Sequence, residues 1–150
     1  MTTVEMDTSS LRSTRQAAAQ CLRLIQSGQI DRFQAIICNA GATFSGEPSY
    51  TEDGYEVTFA TNYLGHFLLV QLLLDSIEED GRVVFTASGT HDPDTADGKL
   101  IGAAVRPDAF ALANTGKDGT KALAASKRYT TSKLCTVLHA YELDRRLKAA

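Results

Sequence analysis

Apolar positions change their period along this chain, and each change marks an element. Leu11, Ala18, Cys21, Leu22 and Ile25 recur close to the helical period, behind the capping hydroxyls of Thr8, Ser9 and Ser10. That spacing predicts a helix from about Leu11 to Ser27, stopped at Gly28. Ahead of it, Val4 to Met6 reads as a brief strand ending at Asp7. Phe33 to Cys38 is almost unbroken in apolar residues after Gln34, the pattern of a buried parallel strand, and Asn39-Ala40-Gly41 ends it. Phe59, Tyr63, Phe67, Val70 and Leu74 step at helical intervals. They predict a second helix, capped by Thr51, with Glu52 and Asp53 in its first turn and an end near Ile77. Gly81 turns the chain into a strand over Arg82 to Thr86, which closes at Ala87-Ser88-Gly89. His91 to about Lys121 has no period and reads as a long loop, a lid over a site or a surface insertion. A last helix begins near Ser126 and carries Leu134, Val137, Leu138, Tyr141 and Leu147. Strand and helix in alternation predict an α/β fold with a parallel sheet, one domain over residues 1–150.

Composition narrows the function classes. With 43% hydrophobic and 22% charged residues, the 150-residue chain has the balance of an ordinary globular domain. A net charge of -3 gives no reason to expect nucleic acid or an anionic membrane as partner. The longest greasy stretch, Phe67 to Leu74, is interrupted by Gln71 and falls well short of the roughly 20 residues a membrane span needs. The N-terminus lacks the basic-then-apolar pattern of a secretion signal. Cys21, Cys38 and Cys135 are odd in number and scattered, which predicts reduced packing residues in a cytoplasmic protein and no metal site.

In an open α/β sheet, ligands sit at the carboxyl ends of the strands. Those ends are here Asp7, Asn39-Ala40-Gly41 and Ser88. Tyr129 and Lys133 follow at i and i+4, one helical turn apart on one face, where a cation favours the phenolate needed for acid/base work. Asn62 is a polar residue in a greasy helix, either an exposed asparagine or part of the same site.

Taken in order, Asn39-Ala40-Gly41, Asn62-Tyr63-Leu64-Gly65-His66-Phe67, Ser88 after Arg82-Val83-Val84-Phe85-Thr86-Ala87, and Tyr129-x-x-Ser132-Lys133 resemble the short-chain dehydrogenase/reductase family across nearly the whole chain. The closest likeness is to its retinol-dehydrogenase-like branch. The resemblance implies a partial Rossmann-like, doubly wound parallel sheet, and NAD- or NADP-dependent hydride transfer between a carbonyl and an alcohol in a small-molecule substrate. It makes Tyr129 the acid/base, Lys133 its activator and a ligand of the nicotinamide ribose, and Ser88 a donor to the substrate oxygen. Asn62 would hold the lysine through a water. Asn39, Ala40 and Gly41 would pack near the cofactor, and Asp7 would bind the adenine amino group. No metal is implied. The helices Phe59–Leu74 and Leu134–Leu147 would form a homodimer interface.

The departures from the family pattern are as informative. The family opens with a Gly-rich turn of the form Thr-Gly-x-x-x-Gly-x-Gly that cradles the pyrophosphate, and no such turn occurs in this sequence. The chain matches the family from its third strand to the Tyr-Lys helix, which predicts a sheet without the first two and the last strands. The N-terminal segment would then either pair beside Ala35–Cys38 or attach loosely. Cys38 replaces a usual asparagine, and Ser88 and Tyr129 stand an unusually long 41 positions apart. Two functions stay open at this point: an NAD(P)-dependent oxidoreductase, and an inactive remnant that associates through its helices.

Overall fold

The computed structural model describes residues 1–101 and 107–149. Helix α1, Leu11–Gln26, starts where the hydroxyls predicted: the Ser10 side chain accepts from Ser13 N–H as N-cap. It stops at Gly28, whose φ of 69° is costly for any residue with a Cβ. Strand β1, Phe33–Cys38, leads through an irregular loop into helix α2, Val57–Ser76. Thr51 does not cap this helix. Its N-cap is Glu56, whose carboxylate accepts from Phe59 N–H, because Thr51 to Asp53 are held in a turn against the start of α1. Inside α2 the segment Ala60–Leu64 is a π-helical turn, a widening of the spiral that is rare and often found at functional sites.

Strand β2, Ile77–Phe85, is longer than Arg82 to Thr86 and follows α2 directly. It pairs with β1 in parallel, with Ala35 opposite Arg82, Ile36 opposite Val83, Ile37 opposite Val84 and Cys38 opposite Phe85. The register slips between Phe33 and Ala35. Gly81 sits in that irregularity rather than at a turn before the strand, and a Cβ there would collide with the Ile77 side chain. Among the described residues the sheet has these two strands. Val4 to Met6 is not a strand and does not pair beside Ala35–Cys38, so that expectation is corrected.

Alternate strand residues separate two environments. Ile36 and Cys38, with Val83 and Phe85, pack on Ala18 of α1, Val70 and Leu73 of α2, and Leu143 of the last helix. On the opposite face Ile37 is 67% exposed and Val84 41% exposed. The continuous apolar run of Ala35–Cys38 had pointed to burial on both sides, but the described helices cover one face only.

The stretch after β2 is more ordered than a loop. A 3-10 turn, Gly89–His91, leads to α3, Ala96–Ile101, and further on to α4, Ala109–Ala113. The expected His91–Lys121 loop includes residues 102–106, which lie outside the described residues. Leu112 and Ala113 of α4 are buried with Phe59 and Cys135 in a second apolar cluster, and Ala113 O accepts from Glu56 N–H at 2.8 Å. These residues pack into the fold rather than standing apart from it. Helix α5, Ala125–Leu147, closes the fold.

Length and composition alone would let α2 cross a membrane. Its Phe59, Ala60, Asn62, His66, Val70 and Leu73 are nevertheless buried against the rest of this chain.

Candidate functional site

Because the strands run in parallel, Asn39-Ala40-Gly41 and Thr86-Ala87-Ser88 leave the sheet at the same end. Thr86 Oγ1 donates to Asn39 Oδ1 at 3.0 Å, and Thr86 N–H donates to Cys38 O at 3.0 Å, so the two exits are tied together. Helix α5 brings Lys133 to this junction. Its ammonium donates to Thr86 O at 2.9 Å while the side chain is only 4% exposed. Burial pushes the Lys133 amine below its ordinary range. Tyr129 is half-buried one turn earlier, with its ring centroid 5.8 Å from Lys133 Nζ.

Asn62 is not an exposed helix asparagine. It is buried in the π-helical turn, and its amide is fully engaged. Oδ1 accepts from Ala42 N–H at 2.8 Å, and Nδ2 donates to Ala42 O at 2.9 Å and to Ser132 Oγ at 3.1 Å. Ser132 Oγ in turn donates to Tyr129 O at 2.7 Å, which links the two site helices through one buried hydroxyl. Gly41 fits between them by lacking a side chain: a Cβ there would lie 3.3 Å from both Asn62 Oδ1 and Lys133 Nζ. Gly41, Asn62, Tyr129 and Lys133 therefore form one constellation.

Ser88 stands beside it as N-cap of the 3-10 turn, which packs on α5. Its hydroxyl is half-buried and lies 3.0 Å from Thr90 Oγ1. Asp7 is not drawn into the cluster. It is exposed, and its Oδ1 accepts from both Ser9 N–H at 2.8 Å and Ser9 Oγ at 2.7 Å. Asn39 and Ala40 are also exposed. The loop of Asp7 does meet the site helix one residue on, where Thr8 O packs so closely on Gly65 that a Cβ would overlap it.

Several contributors carried no assigned role in the sequence. Ser132 belongs to the recognised motif, but only the fold reveals its bridging hydroxyl. Thr86 acts through its carbonyl, which no side-chain pattern encodes. His66, one turn after Asn62, has Nδ1 3.3 Å from Asn62 O; a carbonyl only accepts, so Nδ1 carries the proton. Burial holds the His66 imidazole below its ordinary range. Cys38, in the place of the family's usual asparagine, faces the core, and burial pushes its thiol up to about 11.

Residues 1–97 match the family model for short chain dehydrogenases. The chain belongs to that family. It is 33% identical over 159 residues to a chloroplastic protochlorophyllide reductase of Daucus carota, an alignment covering 97% of this chain and 38% of that relative. A WW domain-containing oxidoreductase of Homo sapiens is 42% identical over 117 residues, covering 75% of this chain and 25% of its own length. Among solved structures, an uncharacterized protein from Mycobacterium paratuberculosis superimposes with a TM-score of 0.72 at 30% identity, over 97% of this chain and 44% of that one. A blue fluorescent protein from a metagenomic library, solved with NADPH, shares the fold at a TM-score of 0.61 and 22% identity. The chain thus spans less than half the length of each of these proteins.

Proposed function

We infer that the constellation is the proton-transfer site of an NAD(P)-dependent oxidoreductase acting on a carbonyl or alcohol of a small molecule. The observation that carries this reading is the buried Lys133 ammonium, held by Thr86 O on the same helix face as Tyr129 and against the side-chain-free Gly41. A buried ammonium is unfavourable unless it is paired or hydrogen-bonded, and here Thr86 O accepts from it beside the Tyr129 ring. In this reading Tyr129 passes the proton to or from the substrate oxygen. Ser88 donates to that oxygen and steadies the charge that develops on it. Asn62 supports the lysine turn through Ser132. The nicotinamide, when bound, supplies or accepts the hydride.

The residues fit the nicotinamide-ribose end of such a cofactor. Lys133 has three ammonium hydrogens, Thr86 O takes one, and the missing Gly41 side chain leaves the approach open. The adenine end is less prepared: Asp7 is exposed and turned to Ser9, and the sequence holds no Gly-rich pyrophosphate turn. Titration with NADH and NADPH, followed by nicotinamide fluorescence, is therefore expected to give weak binding. Turnover of a carbonyl panel at saturating cofactor tests the roles, with Tyr129→Phe and Lys133→Met expected to abolish it. Turnover that survives Tyr129→Phe unchanged overturns the assignment. Three free thiols fit a reducing, cytoplasmic setting.

A second reading, association without catalysis, is favoured by Leu72 on α2 and by Leu138 and Tyr141 on α5, all exposed. A homodimer through these helices would bury them. Analytical ultracentrifugation distinguishes it: a monomer at high concentration removes this reading.

A further inference from the structure

The largest fully buried side chain described is Arg128, the residue before Tyr129. Nη1 donates to Leu123 O at 2.7 Å, and Nη2 donates to Phe44 O at 3.1 Å and Gly46 O at 2.9 Å. Nε approaches Glu56 Oε1 at 3.0 Å, an ion pair rather than an aligned hydrogen bond, with side chains 1% and 0% exposed. Glu56 is itself committed to α2: Oε2 accepts from Phe59 N–H and Oε1 from Thr58 Oγ1. One guanidinium thus joins three pieces of chain. They are the segment entering α5, the loop continuing from Gly41, and the first turn of α2. Those pieces carry Tyr129 and Lys133, Gly41, and Asn62.

Stability alone does not account for this pair. Replacing a buried ion pair by apolar residues of similar volume is often neutral or stabilising, because desolvation offsets the attraction. What apolar residues lack is the planar fork that fixes several carbonyls at once.

We propose that Arg128, with Glu56, is a positioning pair that sets the depth of the Tyr129–Lys133 turn against Gly41 and Asn62. The inference rests on the oxidoreductase reading of that site. Arg128 touches no reacting atom and acts through the backbone it holds.

The test compares wild type with the double variant Arg128→Met/Glu56→Met and with Arg128→Lys. Its main readout needs no cofactor: an NMR titration of the Lys133 Cε signal, assigned with Lys133→Arg. The double variant is expected to remain folded with a thermal midpoint close to wild type. Its Lys133 is expected to titrate nearer the ordinary 10.5. Where wild type turns over, kcat is expected to fall on the order of a hundredfold, the usual effect of a misplacement near 1 Å, with KM little changed. Arg128→Lys keeps the charge but not the fork, and is expected to move the Lys133 titration in the same direction. A folded double variant whose Lys133 titrates as in wild type overturns the proposal, and Arg128→Lys decides in the same way if the double variant does not fold. Absence of turnover in wild type counts against the oxidoreductase reading, while the Lys133 titration still decides the positioning claim.

Discussion

The two ends of the candidate site are built to different standards. Around Lys133, the ammonium bonds to Thr86 O and the Asn62 amide to Ala42 and Ser132, all from other parts of the chain, while the Ser132 hydroxyl bonds to Tyr129 O within its own helix. Around Asp7 and Asn39 the side chains are exposed; Asp7 bonds within its own turn, and Asn39 accepts one bond from Thr86 Oγ1. The first end is held by tertiary contacts. Among the described residues the second is an exposed surface with no preformed cradle. Preorganised donors act at full strength because no reorganisation precedes the reaction, so under the proposed function the lysine end is the one prepared for chemistry.

The strongest way to break this contrast is at the point where the two ends touch. Gly65→Ala puts a Cβ into Thr8 O, and backbone packed on a helix cannot rotate aside. The added methyl improves helix propensity by about 1 kcal/mol, against an overpacking cost of about 1–3 kcal/mol or more. Because the overlap is with backbone, the cost lies at the upper end of that range, and a net destabilisation of about 2 kcal/mol is expected in urea denaturation, together with displacement of the Asp7 turn. Unchanged stability would mean that Thr8 does not rest on the helix.

Asn62→Ala strikes the lysine end alone. It removes three hydrogen bonds and leaves the Ala42 groups and the Ser132 hydroxyl to find other partners. A loss of about 1–3 kcal/mol follows from the cost of unpaired polar groups, less where water reaches half-buried Ala42. An effect below about 0.5 kcal/mol would show that the network is looser than its distances.

How much of this was legible in the sequence varies with the kind of signal. Helix α1 could be read from both its apolar face and its ends, because Ser10 and Gly28 act locally. Lys133 and Tyr129 were legible as one face because a helix fixes that relation. The start of α2 was not, since Thr51 is a preferred cap type and Glu56 is not, and only packing against α1 and Ala113 selects Glu56. Val4–Met6 has strand-like composition but forms no ladder, and a strand exists only with its neighbour. Asn62 looked ambiguous for a related reason: its π-helical turn depends on Ala42 and Ser132, which are 20 and 70 positions away.

Acid sharpens the comparison, because two imidazoles lie in the built region. Burial lowers the proton affinity of both His66 and His139, and His139 sits among the rings of Tyr63, Phe67 and Phe85. The unfolded chain protonates first as pH falls below the ordinary histidine value of 6.5. Their stabilising effect is therefore complete above that value and is lost as pH drops through it towards the lower folded-state values. Glu142, held to about 2 by Arg145 and Arg146, remains charged across this window and does not confuse the reading. The urea midpoint is expected to be lower at pH 5 than at pH 7. His139→Phe, which keeps an aromatic ring, should reduce that difference; an unchanged pH dependence would show that this imidazole titrates as if exposed.

The smallest effects are expected at the open end. Asn39→Ala removes one hydrogen bond from Thr86 Oγ1, in a position where water replaces it. Asp7→Ala removes the acceptor of Ser9 N–H and Ser9 Oγ, again at an exposed turn. Exposed substitutions of this kind typically stay within about 0.5 kcal/mol, against the larger loss expected for Asn62→Ala. If the open end matters through the cofactor rather than the fold, Asp7→Ala should leave the urea midpoint in place and weaken whatever NADH or NADPH binding the chain has. A destabilisation as large as that of Asn62→Ala would erase the contrast, because it would make the Asp7 turn as much a part of the packed site as the lysine network.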